Sequence, residues 1–397
     1  MSTPASTPVG PPPPRLSAVE GLLPAAPASV GMDSGLPTRL DSIARIAIAE
    51  GAAPGASIAV GRFGRLVHMK GYGTLDYSQG SPAVDPSTIY DLASLTKVVA
   101  TTTAAMILEE AGKLDLNRPV SSYVPELNAP DKAGITIRML LTHSGGLEAY
   151  APLYRSARGM AEYLKEINAR PLAYAPGTQT VYSDWDMVLM QAVIERIAGM
   201  SLEHYTDGHV VAPLQLKDTQ FRPDTNDRVL RRRIAPTIAD SLRGGPLQGV
   251  VHDANAWALG GVSGHAGLFS SARDLAVFAQ ALLDGGTFNG VRIVSPQQVA
   301  RWTSRQGVGV SRALGWDTPA PASSAGRYFS PRSFGHTGFT GTSLWIDPEK
   351  GLFVVLLMNR VNSRGEATRH VQFRRDVSDA VQRAVLDAPL VEWESLR

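Results

Sequence analysis

Ser94-Leu95-Thr96-Lys97 runs directly into the apolar stretch Val98–Leu108, and the reading of this segment decides the fold. A serine at a helix start with a lysine three residues on puts both side chains on one helix face, within reach of each other. The partial positive charge of a helix N-terminus would favour an alkoxide forming on Ser94 during attack on a carbonyl. The chain has seven lysines, so a Ser-x-x-Lys spacing taken alone also suits a plain serine N-cap followed by a solvated lysine. Two motifs further along the chain separate these readings.

Outward from that segment the chain divides by pattern. Pro37–Glu50 has helical apolar spacing at Leu40, Ile43, Ile46 and Ala47, broken by Gly51 and Pro54-Gly55. Short apolar runs at Ala56–Val60 and Leu66–Lys70, parted by Gly61–Gly64, predict a hairpin. Residues 115–270 read mostly as helices and long loops, with Ile137–Leu141, Met160–Ile167 and Asp184–Ala198 the clearest helices, and Ala272–Leu283 is a further amphipathic one. Gly341–Ile346 and Leu352–Met358 read as strands around the turn Asp347–Gly351. The wholly apolar Leu352–Met358 belongs centrally in a sheet. His370 to Leu386 reads as a closing helix that packs on that sheet. This order predicts an α/β domain built from both ends of the chain, residues 36–93 and 271–397, with a mostly helical domain, 94–270, inserted and the active site between them.

Composition narrows the function classes. A chain of 397 residues buries a large core in one or two domains. The formal net charge of +2 is nearly balanced and no basic cluster interleaves with aromatics, so no nucleic-acid partner is expected. Arg231-Arg232-Arg233, the densest basic run, reads as a solvated turn or helix end. No transmembrane segment is expected, and the absence of cysteine excludes disulfides and thiolate chemistry. Met1 to Gly35 is rich in Pro, Ser, Thr, Ala and Gly and reads as a disordered Pro-rich tail outside the fold. It lacks the basic and apolar regions of a signal peptide, so a cytoplasmic location is expected if the chain is full length.

The second motif is Tyr182-Ser183-Asp184, just ahead of the helix that Asp184 opens; a phenol beside a lysine can share its proton handling. The third is His336-Thr337-Gly338, before the first C-terminal strand, where glycine allows a backbone to come close to a ligand. In this order the three resemble the active-site motifs of the class C β-lactamase-like serine hydrolases. That superfamily also includes penicillin-binding peptidases, D-aminopeptidases and class VIII-type carboxylesterases. Leu140–Leu147 (LLTHSGGL) and Gly264–Ser270 (GHAGLFS) are supporting phrases, the latter closest to the penicillin-binding carboxypeptidase branch. The resemblance spans roughly residues 37–390.

The resemblance implies an antiparallel sheet flanked by helices, a helical domain beside it and an active site between. It makes Ser94 the nucleophile, Lys97 with Tyr182 the general base and later acid, and the backbone N–H groups of Ser94 and Phe339 the oxyanion hole. Asp184, His336, Thr337 and Gly338 are the implied substrate-binding residues, and no cofactor or metal is expected. For Lys97 to act as a base its pKa would have to fall by roughly three units from about 10.4, much of which desolvation could supply.

Two departures matter. Asp184 stands where the family often has Asn; a carboxylate there would hold the Lys97 proton and shift weight to Tyr182, orient Lys97, or receive a substrate amine. His336 replaces a lysine that helps attract a substrate carboxylate, and a histidine is mostly neutral at pH 7. The chain also lacks the E-x-x-L-N element of class A enzymes and any G-x-S-x-G elbow. His252 and His265 read as loop or pocket-lining residues, and Trp185 and Trp345 as packing residues. The reading is a serine hydrolase working through an acyl-enzyme on Ser94, with small carboxylic esters first and weak β-lactam hydrolysis beside them. Its alternatives are a D-alanyl-D-alanine carboxypeptidase or D-aminopeptidase, and a catalytically silent binding protein on the same fold.

Overall fold

A hairpin near the N-terminus and a meander near the C-terminus combine into one sheet in this computed structural model, which describes residues 22–307, 311–320, 323–366 and 368–392. The N-terminal strands are β1 (Leu23–Pro24), β2 (Gly55–Arg62), β3 (Arg65–Gly73) and the short β4 (Ile89–Asp91). Then come β5 (Gln220–Phe221) and β6 (Leu268–Ser271), and the meander β7 (Phe334–Thr337), β8 (Ser343–Asp347) and β9 (Leu352–Met358). The main sheet runs β1-β3-β2-β9-β8-β7, and a small one runs β4-β6-β5. All pairings are antiparallel except that of β1 with β3. The sheet is therefore mixed rather than purely antiparallel. The apolar β9 does lie inside it, between β2 and β8.

The helices that position the site are α1 (Leu36–Ala49), α2 (Thr103–Glu110), α3 (Ile137–Leu141), α4 (Gly159–Ala169), α5 (Asp184–Ala198), α6 (Ala254–Ala258), α7 (Ala272–Leu283) and α8 (Arg369–Arg383). The amphipathic spacing put α3, α5 and α7 at their observed bounds. Helices α1 and α8 pack together on one face of the sheet, burying Leu36, Leu40 and Ala44 against Phe373, Val377 and Val381. Helix α7 covers the other face with Leu275, Phe278 and Leu282, and this core continues into the helical region through Val98, Met187 and Val193. Each such side chain, fully buried, contributes about 1.5–3 kcal/mol, which fixes the sheet against the helices around the site. No helix among the described residues is long and apolar enough to cross a membrane.

Part of the segment expected to lie outside the fold is folded. Residues 1–21 of the expected tail lie outside the described residues, but Leu22 to Gly35 dock on the sheet. Ala25 N–H donates to Leu66 O at 2.9 Å, and Met32 is fully buried. Arg62, itself buried, donates to Val30 O at 2.7 Å and Gly31 O at 3.0 Å. This stretch has no apolar period, and its order comes from Val30 and Met32 buried in the core and from backbone carbonyls captured by a distant arginine.

Candidate functional site

Ser94 occupies a tight turn between β4 and the helix that continues into α2. Ala93, just before it, has φ +46°, a left-handed conformation that a residue with a Cβ adopts at a cost. Asp91 Oδ1 accepts from Ala93 N–H at 2.8 Å and its Oδ2 from His252 N–H at 2.6 Å, which holds the turn in place. The next residues wind as a π-helix over Lys97–Thr102, a widened turn that is frequent at functional sites. The Gly264–Ser270 phrase wraps this helix: Thr101 Oγ1 donates to Gly264 O at 2.7 Å, and Leu268 N–H to Thr96 Oγ1 at 3.1 Å. Residue 264 must be glycine for this approach, because a Cβ there would lie 2.0 Å from Met187 O.

Lys97 is fully buried, and its Nζ donates to three acceptors: Ser94 Oγ at 2.9 Å, Asp184 Oδ1 at 2.8 Å and His265 O at 3.0 Å. Three donors meeting three acceptors is the pattern of an ammonium. Burial pulls the Lys97 pKa down, but the charge of Asp184 and then Tyr182 outweigh it, and the net shift is upward. Of the two readings of Lys97 the sequence left open, the upward shift favours the carboxylate of the second motif holding the proton over desolvation freeing it.

Tyr182 lies beside this pair, with Lys97 Nζ 4.9 Å from its ring centroid. Burial raises its pKa, assisted by Asp184, against opposing contributions from Lys97 and Ser94, so the phenol keeps its proton. The LLTHSGGL phrase forms its cradle. His143 packs on the ring at 4.7 Å between centroids, and its carbonyl accepts from Val181 N–H at 2.9 Å. His143 Nδ1 contacts Asp186 Oδ2 at 2.8 Å, both side chains buried. Burial lowers the imidazole and raises the carboxyl, so the pair is neutral. Ser183 caps α5 by accepting from Trp185 N–H at 3.2 Å, which presents Asp184 on the first turn of the helix.

His336 sits at 5.9 Å from the Tyr182 ring. Burial, with Lys97 and Arg312 adding repulsion, holds its pKa well below the usual histidine range, so it is neutral. Its Nδ1 donates to Thr337 O at 2.8 Å. The following turn closes through Gly338 N–H to Thr342 O at 2.7 Å and abuts the Ser94 turn. A Cβ on Gly338 would lie 2.4 Å from Leu92 O. Phe339, at the tip, is 60% exposed, its ring between His252 at 5.5 Å and the Arg360 guanidinium at 4.1 Å. Among the described residues, neither Ser94 N–H nor Phe339 N–H has a backbone acceptor.

Ser94, Tyr182, Asp184, His336, Thr337, Gly338 and Phe339 all line one cavity of about 810 Å³, with Lys97 beneath its floor. Every residue proposed from the sequence therefore converges on one place. Asp184, Asp253 and His265 also bring ligand-type atoms within 4.8 Å of one another. His265 has both ring nitrogens in hydrogen bonds, to Ser263 Oγ at 2.7 Å and Asp253 Oδ1 at 2.8 Å, and the cation against Asp184 is the Lys97 ammonium. His265 keeps Asp253 ionised despite burial. Trp185 and Trp345 are buried packing residues. Sequence reasoning missed Asp253, Arg312, Arg360 and Arg374, all of which face the cavity. None sits in a motif, and no spacing signal marks them.

A family model described as Beta-lactamase matches residues 40–378. A protein of Salmonella agona named "Putative D-alanyl-D-alanine carboxypeptidase" is 34% identical over 373 residues, covering 85% of this chain and 86% of its own. The solved structure of "EstCE1, a hydrolase with promiscuous acyltransferase activity" is similar at TM-score 0.72 and 25% identity, over 88% of this chain and 98% of that one. A class C beta lactamase structure, at TM-score 0.70 and 19% identity, covers 87% of this chain and 98% of its own and shares the fold.

Proposed function

The chain belongs to the beta-lactamase family of serine hydrolases, and from that premise we propose that it forms an acyl-enzyme on Ser94 and cleaves short peptides ending in D-alanine. The observation that carries the chemistry is the chain of contacts from Ser94 Oγ through Lys97 Nζ to Asp184 Oδ1, at 2.9 and 2.8 Å. The resting site is an ammonium, a carboxylate and a neutral phenol. Lys97 passes one proton to Asp184, and the freed amine turns its lone pair to take the Ser94 proton as Oγ attacks the substrate carbonyl. The N–H groups of Ser94 and Phe339 bind the oxyanion, each such donor being worth about 10²–10³-fold in rate. Tyr182 O–H protonates the leaving amine as the C–N bond breaks and is reprotonated from Asp184 through Lys97. Water then repeats the sequence on the acyl-enzyme, releasing the shortened peptide and Ser94.

The peptide substrate is supported by the names of relatives about one-third identical over most of the chain. Arg312 and Arg360 on the cavity wall suit a substrate carrying a carboxylate. Small neutral esters are a second reading, favoured by the uncharged His336 in the third motif and by the likeness to EstCE1.

Intact-protein mass spectrometry seconds after mixing with an activated short-chain ester tests the first step. An acyl increment on the wild type and none on Ser94→Ala is expected. Equal labelling of both, or of neither, removes Ser94 as nucleophile. Release of D-alanine from a D-Ala-D-Ala peptide, compared with ester turnover, then decides between the two substrates.

A further inference from the structure

Arg374, on α8, is 6% exposed, and among the described residues its hydrogen-bond partners are all carbonyls of one turn. Its Nη2 donates to Gly338 O at 2.7 Å and Thr342 O at 2.9 Å, and its Nε to Gly341 O at 3.0 Å. Gly338 O belongs to the same peptide unit as Phe339 N–H. In a trans peptide the C=O and N–H point in opposite directions, so a guanidinium fixed on that carbonyl also fixes where the N–H points. A cation on the oxygen further polarises the unit and strengthens the N–H as a donor.

The same turn is tied to the Ser94 side of the site. Thr340 Oγ1 donates to Asp91 O at 2.7 Å, and Thr342 Oγ1 to Leu92 O at 2.9 Å. The two amides are thus held in register by two hydroxyls and one guanidinium. Burial, with Arg360 adding repulsion, lowers the Arg374 pKa to about 9, and among the described residues no carboxylate offsets it. A charge buried against carbonyls alone is a poor way to pin a helix to a sheet, since apolar residues of similar volume do that at less cost. It is well placed where negative charge develops one peptide away.

We propose that Arg374 is a positioning residue of the oxyanion-binding amides, orienting and polarising the Gly338–Phe339 peptide through the turn that Thr340 and Thr342 clamp to the nucleophile. This rests on the reading of Ser94 and Phe339 given above.

The test measures acylation by an activated neutral ester in single-turnover mode, with kcat and KM, for wild type, Arg374→Met, Arg374→Lys, Thr340→Val and Ser94→Ala. Arg374→Met should lower the acylation rate by about 10²-fold, the scale of one oxyanion donor, with KM within threefold of wild type. Arg374→Lys should recover part of the loss, because an ammonium can still reach the Gly338 carbonyl. A folded Arg374→Met protein that acylates at the wild-type rate, or whose loss lies wholly in KM, overturns the proposal. If Arg374→Met does not fold, Thr340→Val decides: a loss in kcat upholds the clamp and a wild-type rate overturns it. No adduct on wild-type Ser94 overturns the site reading itself and this inference with it, whereas a wild-type adduct absent from Ser94→Ala keeps the two failures apart.

Discussion

Lys97 Nζ and Asp184 Oδ1 stand 2.8 Å apart with the amine fully buried, and this contact keeps the amine protonated. Without the carboxylate, burial would drive the amine toward neutrality. With it, the lysine stays charged; the Tyr182 phenol keeps its proton chiefly through burial, and a proton leaving Ser94 can be accommodated only if Lys97 first gives one up. An Asn at this position could not receive that proton; Asp184 can.

In Asp184→Asn the ammonium loses the neighbour that holds its proton. At an effective dielectric of about 20, a unit charge about 4 Å away is worth up to about 4 kcal/mol, so a fall of roughly 1–3 units in the Lys97 pKa is expected. Acylation should be about 10- to 100-fold slower than wild type at pH 7 and should climb with pH as the amine is freed. Single-turnover rates from about pH 6 to pH 10 check this. A wild-type rate at neutral pH would remove Asp184 from the proton path.

Tyr182→Phe removes the phenol in contact with Lys97 and Ser94 while keeping the ring that His143 packs against. Loss of a positioned acid costs about 10²–10⁴-fold. The loss should be larger for amides than for activated esters, whose leaving group departs without a proton. Comparing the two substrates on one variant tests this, and equal losses would argue that Tyr182 shapes the site rather than protonating the leaving group.

How far the site was legible in the sequence depends on how each residue is held. Ser94, Lys97, Tyr182 and Asp184 sit at helix starts, where capping and spacing leave a trace, and helices α3, α5 and α7 follow from apolar periodicity alone. Arg374 and Arg360 could not be found that way, because an arginine on an amphipathic helix or after a strand reads as a solvated charge until the turn it braces is seen. Asp253 is visible only once the Gly264–Ser270 phrase has folded over the Lys97 helix and brought His265 to it. The docking of Leu22 to Gly35 was hidden for the same reason: its partner, Arg62, lies in a strand whose burial no local pattern reveals.

His336→Lys would place a second amine near Lys97 and Arg312, which already press on His336. Their repulsion and the burial would hold the new amine's pKa down, so only part of a full charge is gained at pH 7. The ratio of kcat/KM for a carboxylate-bearing substrate over a neutral ester should rise about three- to tenfold, an order-of-magnitude figure for partial charge in a screened pocket. That ratio is measured with a D-Ala-D-Ala peptide and a short-chain ester. An unchanged ratio would mean the existing arginines already saturate carboxylate recognition.

His68 on β3 makes stability fall in mild acid. Its Nε2 donates to Tyr72 Oη at 2.8 Å, and Tyr72 in turn donates to Asp41 Oδ1 at 2.8 Å, tying the sheet to α1. Burial, with Lys70 adding repulsion and Asp41 opposing, lowers the His68 pKa to about 4. An unfolded histidine titrates near 6.5, so between about pH 6.5 and pH 4 the unfolded chain binds a proton that the folded one does not. The stabilisation is therefore fully present above about pH 6.5 and is lost as pH falls toward 4, amounting to roughly 2 kcal/mol by about pH 5. His68→Gln retains an N–H for Tyr72 without titrating. Urea unfolding at about pH 7 and pH 5 should show the drop between them shrinking by roughly that 2 kcal/mol in the variant. The buried His143 and His336 should leave a residual slope, because burial holds both neutral as well. An identical pH dependence in wild type and variant would mean that His68 takes up its proton in the folded state without cost.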